Sequence, residues 1–197
     1  MRAEDEWLWH GGRVCLDFVN TLRDRWKASP RETLHEPDDV ARWLREAGLL
    51  TDGVRTGDAP ASALRSSVAL REAIDRTVLR VADSAPPTPA DITVINEASA
   101  AAPRPALHLV LRDGRLESSS AARVADGATA SLGLVAQDAI ELLLSPEIRR
   151  VRICDSDRCA LRFVDRSPAR NRRWCSMTRC GNRTKVRLHQ ARSRVHG

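Results

Sequence analysis

The feature that most constrains this chain is a set of four cysteines in two matched pairs. Cys154-x4-Cys159 and Cys175-x4-Cys180 are separated by fifteen residues. Two local loops that each offer two thiolates can close a tetrahedral shell around one zinc ion, in a segment too short to build a core of its own. Four thiolates leave no position for water, so the spacing predicts one structural zinc per chain and not a catalytic one. Cys15 stands apart, on an apolar helical face, and reads as a small buried hydrophobe.

Charge divides along the same line as the cysteines. The 197 residues carry a net charge of +6, but residues 1–148 hold 17 Lys+Arg against 23 Asp+Glu, a net of −6. Residues 149–197 hold 15 Lys+Arg against Asp155, Asp157 and Asp165 alone, a net of +12. Such a split points to one part that meets a polyanion and one that does not. Two domains follow, 1–148 and 149–197. No apolar run approaches the roughly 20 residues of a membrane span, and the acidic start lacks the apolar centre of a secretory signal. The expectation is a cytoplasmic protein with reduced cysteines and no membrane partner.

The first domain reads as mainly helical. Cys15, Phe18, Val19 and Leu22 recur at helical spacing after the Gly11-Gly12 turn. Pro37 opens a helix that Gly48 stops; a longer pattern runs from Pro60 to Ala82; Thr88 caps a helix with Pro89 in its first turn. Asp113-Gly114 between Leu107–Leu111 and Arg115–Ser119 signals a β-hairpin, and Ala128 to Leu144 a last helix ended by Ser145-Pro146. The polar residues Asp17, Asn20 and Thr21, with His10 upstream, either cap neighbouring loops or line a small ligand pocket. No nucleophile elbow, phosphate loop or second metal cluster appears, so an enzyme is not expected.

In the second domain, Val151–Ile153 and Leu161–Val164 read as short strands on either side of the first cysteine loop. The second pair falls at the mouth of a helix capped by Ser176. The fold class is thus α+β, mainly α, with a treble-clef-like finger at its end. A helix over Met177 to Val195 places Met177, Thr184, Leu188, Ala191 and Val195 on one stripe, and Arg179, Arg183, Arg187, Gln190 and Arg194 on another. Ahead of it runs Arg170-Asn171-Arg172-Arg173-Trp174. Arginine forks bind phosphate and read guanine edges, which makes a metal-anchored arginine face a DNA reader. The candidate contacts are Arg172, Arg173, Arg179, Asn182, Arg183, Lys185, Arg187 and Arg194. Asn182 and Arg183 could equally brace the zinc loop through its carbonyls, and Gly181 implies a close backbone approach.

These residues also carry a resemblance. Cys154-x4-Cys159, Phe163-Val164-Asp165-Arg166-Ser167, Arg172-Arg173-Trp174-Cys175-Ser176-Met177 and Cys180-Gly181-Asn182-Arg183-x-Lys185 resemble the CGNR zinc-finger family. Cys15-Leu16-Asp17-Phe18-Val19-Asn20-Thr21 and Trp43-Leu44-x-x-Ala47-Gly48-Leu49 are similar to the ABATE domain that accompanies this finger. The resemblance implies a bacterial, stress-induced transcription regulator whose finger binds DNA. Apart from the resemblance, the expected partners are double-stranded DNA, a small-molecule effector for the N-terminal domain and a second copy in a homodimer. The rival readings are an RNA binder and a zinc-stapled protein-interaction module. RNA recognition usually recruits exposed aromatics, and Phe163 and Trp174 sit where core roles are expected.

Overall fold

The computed structural model describes residues 7–51, 61–103, 107–120 and 124–187. Among the described residues, helices α1 to α5 and a β-hairpin precede a C-terminal segment of short strands, turns and one further helical stretch. Helix α1 (Val14–Val19) follows the glycine turn, with Gly12 at φ +76°. It buries Cys15, Leu16, Phe18 and Val19, and it stops short of Leu22 because the Thr21 hydroxyl bonds back to the Phe18 carbonyl at 2.7 Å. Helix α2 (Pro37–Glu46) begins with proline at its first position and a reciprocal box between Glu36 and Asp39, which satisfies amide groups that no helical carbonyl reaches. Gly48, at φ +71°, provides the left-handed residue that ends it.

Helix α3 (Ala61–Ala82) is the hub: α1, α2, α4 (Pro89–Ala100) and α5 (Ala128–Leu144) all pack on it. Such surroundings bury even Arg71, whose side chain is only 2% exposed. A lone buried guanidinium would be costly, and this one is paired with Glu32 at 2.7 Å and Glu72 at 2.9 Å. On the far side, α4 and α5 approach so closely that a Cβ on Gly133 would lie 2.5 Å from the Ala102 amide nitrogen. The hairpin strands β1 (Leu107–Arg112) and β2 (Arg115–Ser120) pair antiparallel. Asp113 at φ +48° and Gly114 at φ +75° give the turn whose twist suits two strands.

After α5 the chain makes a 3-10 turn (Pro146–Arg150) and enters β3 (Val151–Ile153), which pairs antiparallel with β4 (Arg162–Val164). Ile148, Val151 and Val164 join the main core. Phe163 and Leu161 instead form a second cluster with the four finger cysteines, against which Leu8 and Trp174 pack. The finger is therefore seated on the helices, with the Val164 amide donating to the Gly11 carbonyl at 2.9 Å. No described helix is long and apolar enough to cross a membrane.

The last helix differs from its expected course. Met177–Gly181 forms a π turn, and an α-helix then covers residues 182–187. The Gly181 amide reaches back five residues to the Ser176 carbonyl at 3.1 Å. A π turn takes more residues per revolution, so the arginine and apolar stripes drawn at a constant α-helical angle shift out of line. Met177, assigned to the apolar stripe, is 46% exposed. Leu188, Gln190, Ala191, Arg194 and Val195 lie outside the described residues.

Candidate metal centre and basic surface

Cys154 follows β3 directly, and its amide donates to the Leu161 carbonyl at 2.8 Å, extending the two-stranded ladder. The chain then turns through Ser156 to Cys159, whose amide bonds the Ser156 carbonyl. A crosslink from the Asp155 amide to the Arg173 carbonyl, 2.8 Å, draws the approach to the second pair alongside the first. Ser176 caps the π turn by accepting from the Arg179 amide, and this turn folds Cys180 back toward Cys175. Gly181 makes the fold-over possible: a Cβ there would fall 2.6 Å from the Met177 sulfur and 3.3 Å from the Trp174 ring.

The result is a cluster of four buried Sγ atoms within 4.8 Å of one another. The Cys159–Cys175 and Cys175–Cys180 sulfur pairs are each 3.8 Å apart. Zinc binds thiolate at about 2.3 Å, and the edge of such a tetrahedron is about 3.8 Å, so the donor set has the dimensions of a zinc shell; a disulfide would need about 2.05 Å. The electrostatics agree. Hydrogen bonds from Cys159 and Cys175 pull the Cys154 thiol far down, while Cys154 in turn pushes Cys159 and Cys175 up. Sulfurs this close cannot all ionise without a cation among them. Cys15 is separate and fully buried, its thiol raised by that burial.

The arginines proposed as DNA contacts fall into two groups. Arg172 lies over the Phe163 ring, donates from Nε to the Trp174 carbonyl at 2.7 Å, and also reaches the Cys175 carbonyl. The zinc-loop brace considered for Asn182 and Arg183 is thus made by Arg172. Arg173 pairs with Asp155, and Arg187 with Asp157 on the first cysteine loop. Asn182, Arg183 and Lys185 are exposed and make no side-chain hydrogen bond or ion pair with any described residue. Arg179, half-buried, also keeps its guanidinium unpaired among the described residues. Arg194 lies outside them.

The N-terminal polar residues hold chain segments. Asn20 forms a two-way amide pair with Arg162 in β4, donating to its carbonyl at 2.9 Å and accepting from its amide at 2.8 Å. Beside it, the Arg162 guanidinium makes a buried bidentate pair with Asp75 at 2.7 and 3.0 Å. Asp17 accepts from the Gly11 amide at 2.7 Å and from His10, and burial raises its pKa to about 7. Thr21 accepts from Arg71 at 3.3 Å. Burial and the nearby Arg179 and Arg172 lower the pKa of His10. Sequence reasoning missed Asp155, Asp157, Asp75 and Arg162, because their partners are distant in the chain. For Asp155 and Asp157, the scarcity of acids, three among fifteen bases in residues 149–197, was the available signal that arginines would claim them.

A CGNR zinc-finger profile matches residues 150–193. An ABATE profile, described as "Putative stress-induced transcription regulator", matches residues 12–146. No curated protein matches the chain. With two-thirds of its length matched by that profile and a four-thiolate zinc finger seated on the matched helices, the chain belongs to the ABATE family and ends in a CGNR zinc finger.

Proposed function

We propose that this protein is a zinc-dependent transcription regulator, not an enzyme, whose finger binds double-stranded DNA and whose helical domain supplies the input. The observation that carries this reading is the exposed set of Asn182, Arg183 and Lys185, unpaired among the described residues, on the helical turn directly after the zinc-held π turn. The finger's other basic side chains are often tied to carbonyls or aspartates, whereas these remain available to a phosphate or a base edge. A rigid anchor just before the reading turn lowers the ordering cost of binding. A signal received by the helices, and a homodimer on a two-fold DNA site, belong to the same reading.

The test is the Asn182→Ala/Arg183→Ala/Lys185→Ala variant of the zinc-loaded chain, measured on duplex DNA over a range of salt. Loss of two phosphate-contacting cations should lower the slope of log K against log salt by about 2, with zinc content and Tm unchanged. Comparing selected with scrambled duplexes separates base reading, about 1–3 kcal/mol of discrimination, from uniform phosphate contact. A folded, zinc-loaded variant that binds as well as wild type rejects this turn as the reading element. Displacement of the duplex by equimolar RNA transfers the function to RNA.

A further inference from the structure

At the seam between the helical domain and the finger lies a cavity of about 360 Å3, lined by Pro146, Arg149, Arg150, Arg152, Asp165 and Arg170. It is built where the 3-10 turn, strand β3 and the loop after β4 meet. None of its lining residues belongs to the turn bearing Asn182, Arg183 and Lys185.

Four guanidinium-bearing side chains thus converge on one concavity with a single carboxylate. That carboxylate is already committed: Asp165 accepts from the Ser167 amide at 2.9 Å, the Ser167 hydroxyl at 2.6 Å and the Arg172 amide at 2.9 Å. Glu147 feels the charge of Arg150, yet its carboxylate is taken by Arg166 at 2.9 Å. Among the described residues, none of the four arginines has a carboxylate within ion-pair distance. Arg149 bonds the Ser84 hydroxyl, and Arg152 bonds the carbonyls of Arg149 and Val151. Several arginines elsewhere do have such partners, as with Arg13 and Asp138, Arg25 and Glu72, or Arg76 and Asp91. Like charges gathered in a cleft focus a strong positive potential and repel one another unless an anion enters. Arg170 adds a second sign. It is a non-glycine residue at φ +49°, a strained conformation of the kind held at ligand-binding positions.

We propose that this cavity binds a phosphoryl group, clamped by Arg150 and Arg170 with Arg149 and Arg152 at its walls. Guanidinium forks match the tetrahedral oxygens of a phosphate better than they match a monoanion such as chloride. The phosphoryl group has two sources: a free phosphate or diphosphate compound, or the backbone of bound DNA. The second source rests on the DNA-binding reading above, and the first does not.

The experiment uses the zinc-loaded full chain in HEPES at low ionic strength. Inorganic phosphate and pyrophosphate are titrated calorimetrically, and duplex DNA by fluorescence anisotropy. The variants are Arg150→Gln/Arg170→Gly, Arg170→Gly alone, and the Asn182/Arg183/Lys185 triple alanine. Pyrophosphate should bind wild type and the triple variant alike, and about tenfold or more weakly to the double variant. Arg170→Gly removes one charge while suiting the left-handed backbone, so its Tm without ligand should be no lower than wild type. If the double variant fails to fold, this single variant decides. A tenfold loss of DNA affinity in the double variant, without pyrophosphate binding by wild type, assigns the site to backbone phosphates. Should the chain not bind DNA at all, the pyrophosphate titration still decides. Pyrophosphate binding that the variants leave undiminished overturns the proposal, as does the absence of both pyrophosphate binding and any variant effect on DNA.

Discussion

The two parts of this molecule solve the problem of a core by opposite means. The helices bury Phe18, Trp43, Leu70, Ile74, Val135 and Leu142, an apolar set large enough to offset the entropy of ordering the chain. The finger buries four thiols around Phe163 and Leu161, and takes its folding energy from metal coordination. Their arginines differ as well. In the helical domain, Arg13, Arg25, Arg71 and Arg76 each meet a carboxylate. In the finger, three aspartates cannot serve fifteen basic residues; among the described ones, Arg172 turns to carbonyls and a ring, and Arg179 and Arg183 stay bare. A net charge counted along a sequence therefore overstates the charge offered to a partner, and the comparison shows which residues hold the surplus.

The largest way to break this contrast is to remove the metal. Structural zinc supplies about 10 kcal/mol or more in comparable modules. Chelation, or Cys175→Ser, should release the single zinc and open the finger to proteolysis after Arg173 and Arg179, while the far-UV helix signal largely persists. Retention of zinc in the Cys175→Ser protein would contradict the four-thiolate shell. Cys15→Ser should leave zinc content unchanged.

The next tests the joint between the parts. Asp75→Ala leaves Arg162 buried without its counter-ion, a loss of about 3–5 kcal/mol. Denaturant unfolding should show it, and the finger should separate from the helices as a second, earlier transition. A single unshifted transition would mean that the apolar contacts of Val151 and Val164 hold the joint without help.

Two smaller effects probe the helical side alone. Gly133→Ala places a methyl against the Ala102 backbone and should cost about 1–3 kcal/mol, with zinc content unaffected. Asp17→Asn should alter a pH profile. Burial holds Asp17 at about 7 when folded, against about 3.9 unfolded, so the folded state retains the proton more tightly. The stability this contributes is full below about pH 4 and is lost as pH rises through 7. The difference in unfolding midpoint between wild type and Asp17→Asn should drift across that window and be flat above about pH 8, since His10 titrates in both. A difference constant from pH 4 to 8 would mean Asp17 titrates normally.

What was legible in the sequence was what local spacing determines. The cysteine pairs, the Thr88 cap with Pro89, the Asp113-Gly114 turn and the Ser145-Pro146 stop all concern residues within a few positions of one another. Asn20 was readable as a polar residue in an apolar helix, but its partner lies in β4 and no periodicity points there. Arg187 looked free because Asp157, thirty residues earlier, reaches it only once the zinc loop is folded. The π turn escaped notice because a helical wheel assumes a constant angle, and Gly181 hinted at crowding without saying what crowded it. The seam arginines carry no local signal, because Arg149, Arg150 and Arg152 meet Arg170 only once β3 and β4 have paired.

The amide pair between Asn20 and Arg162 has a consequence for synthesis. These partners are 142 residues apart, and at about 5–20 residues per second the ribosome needs roughly 7–28 s to make the stretch between them. For that interval Leu8, Gly11 and Asn20 lack the finger residues they pack on or bond to. The bonds of Gly11 and Asn20 to β4 therefore form only after almost the whole finger has been made.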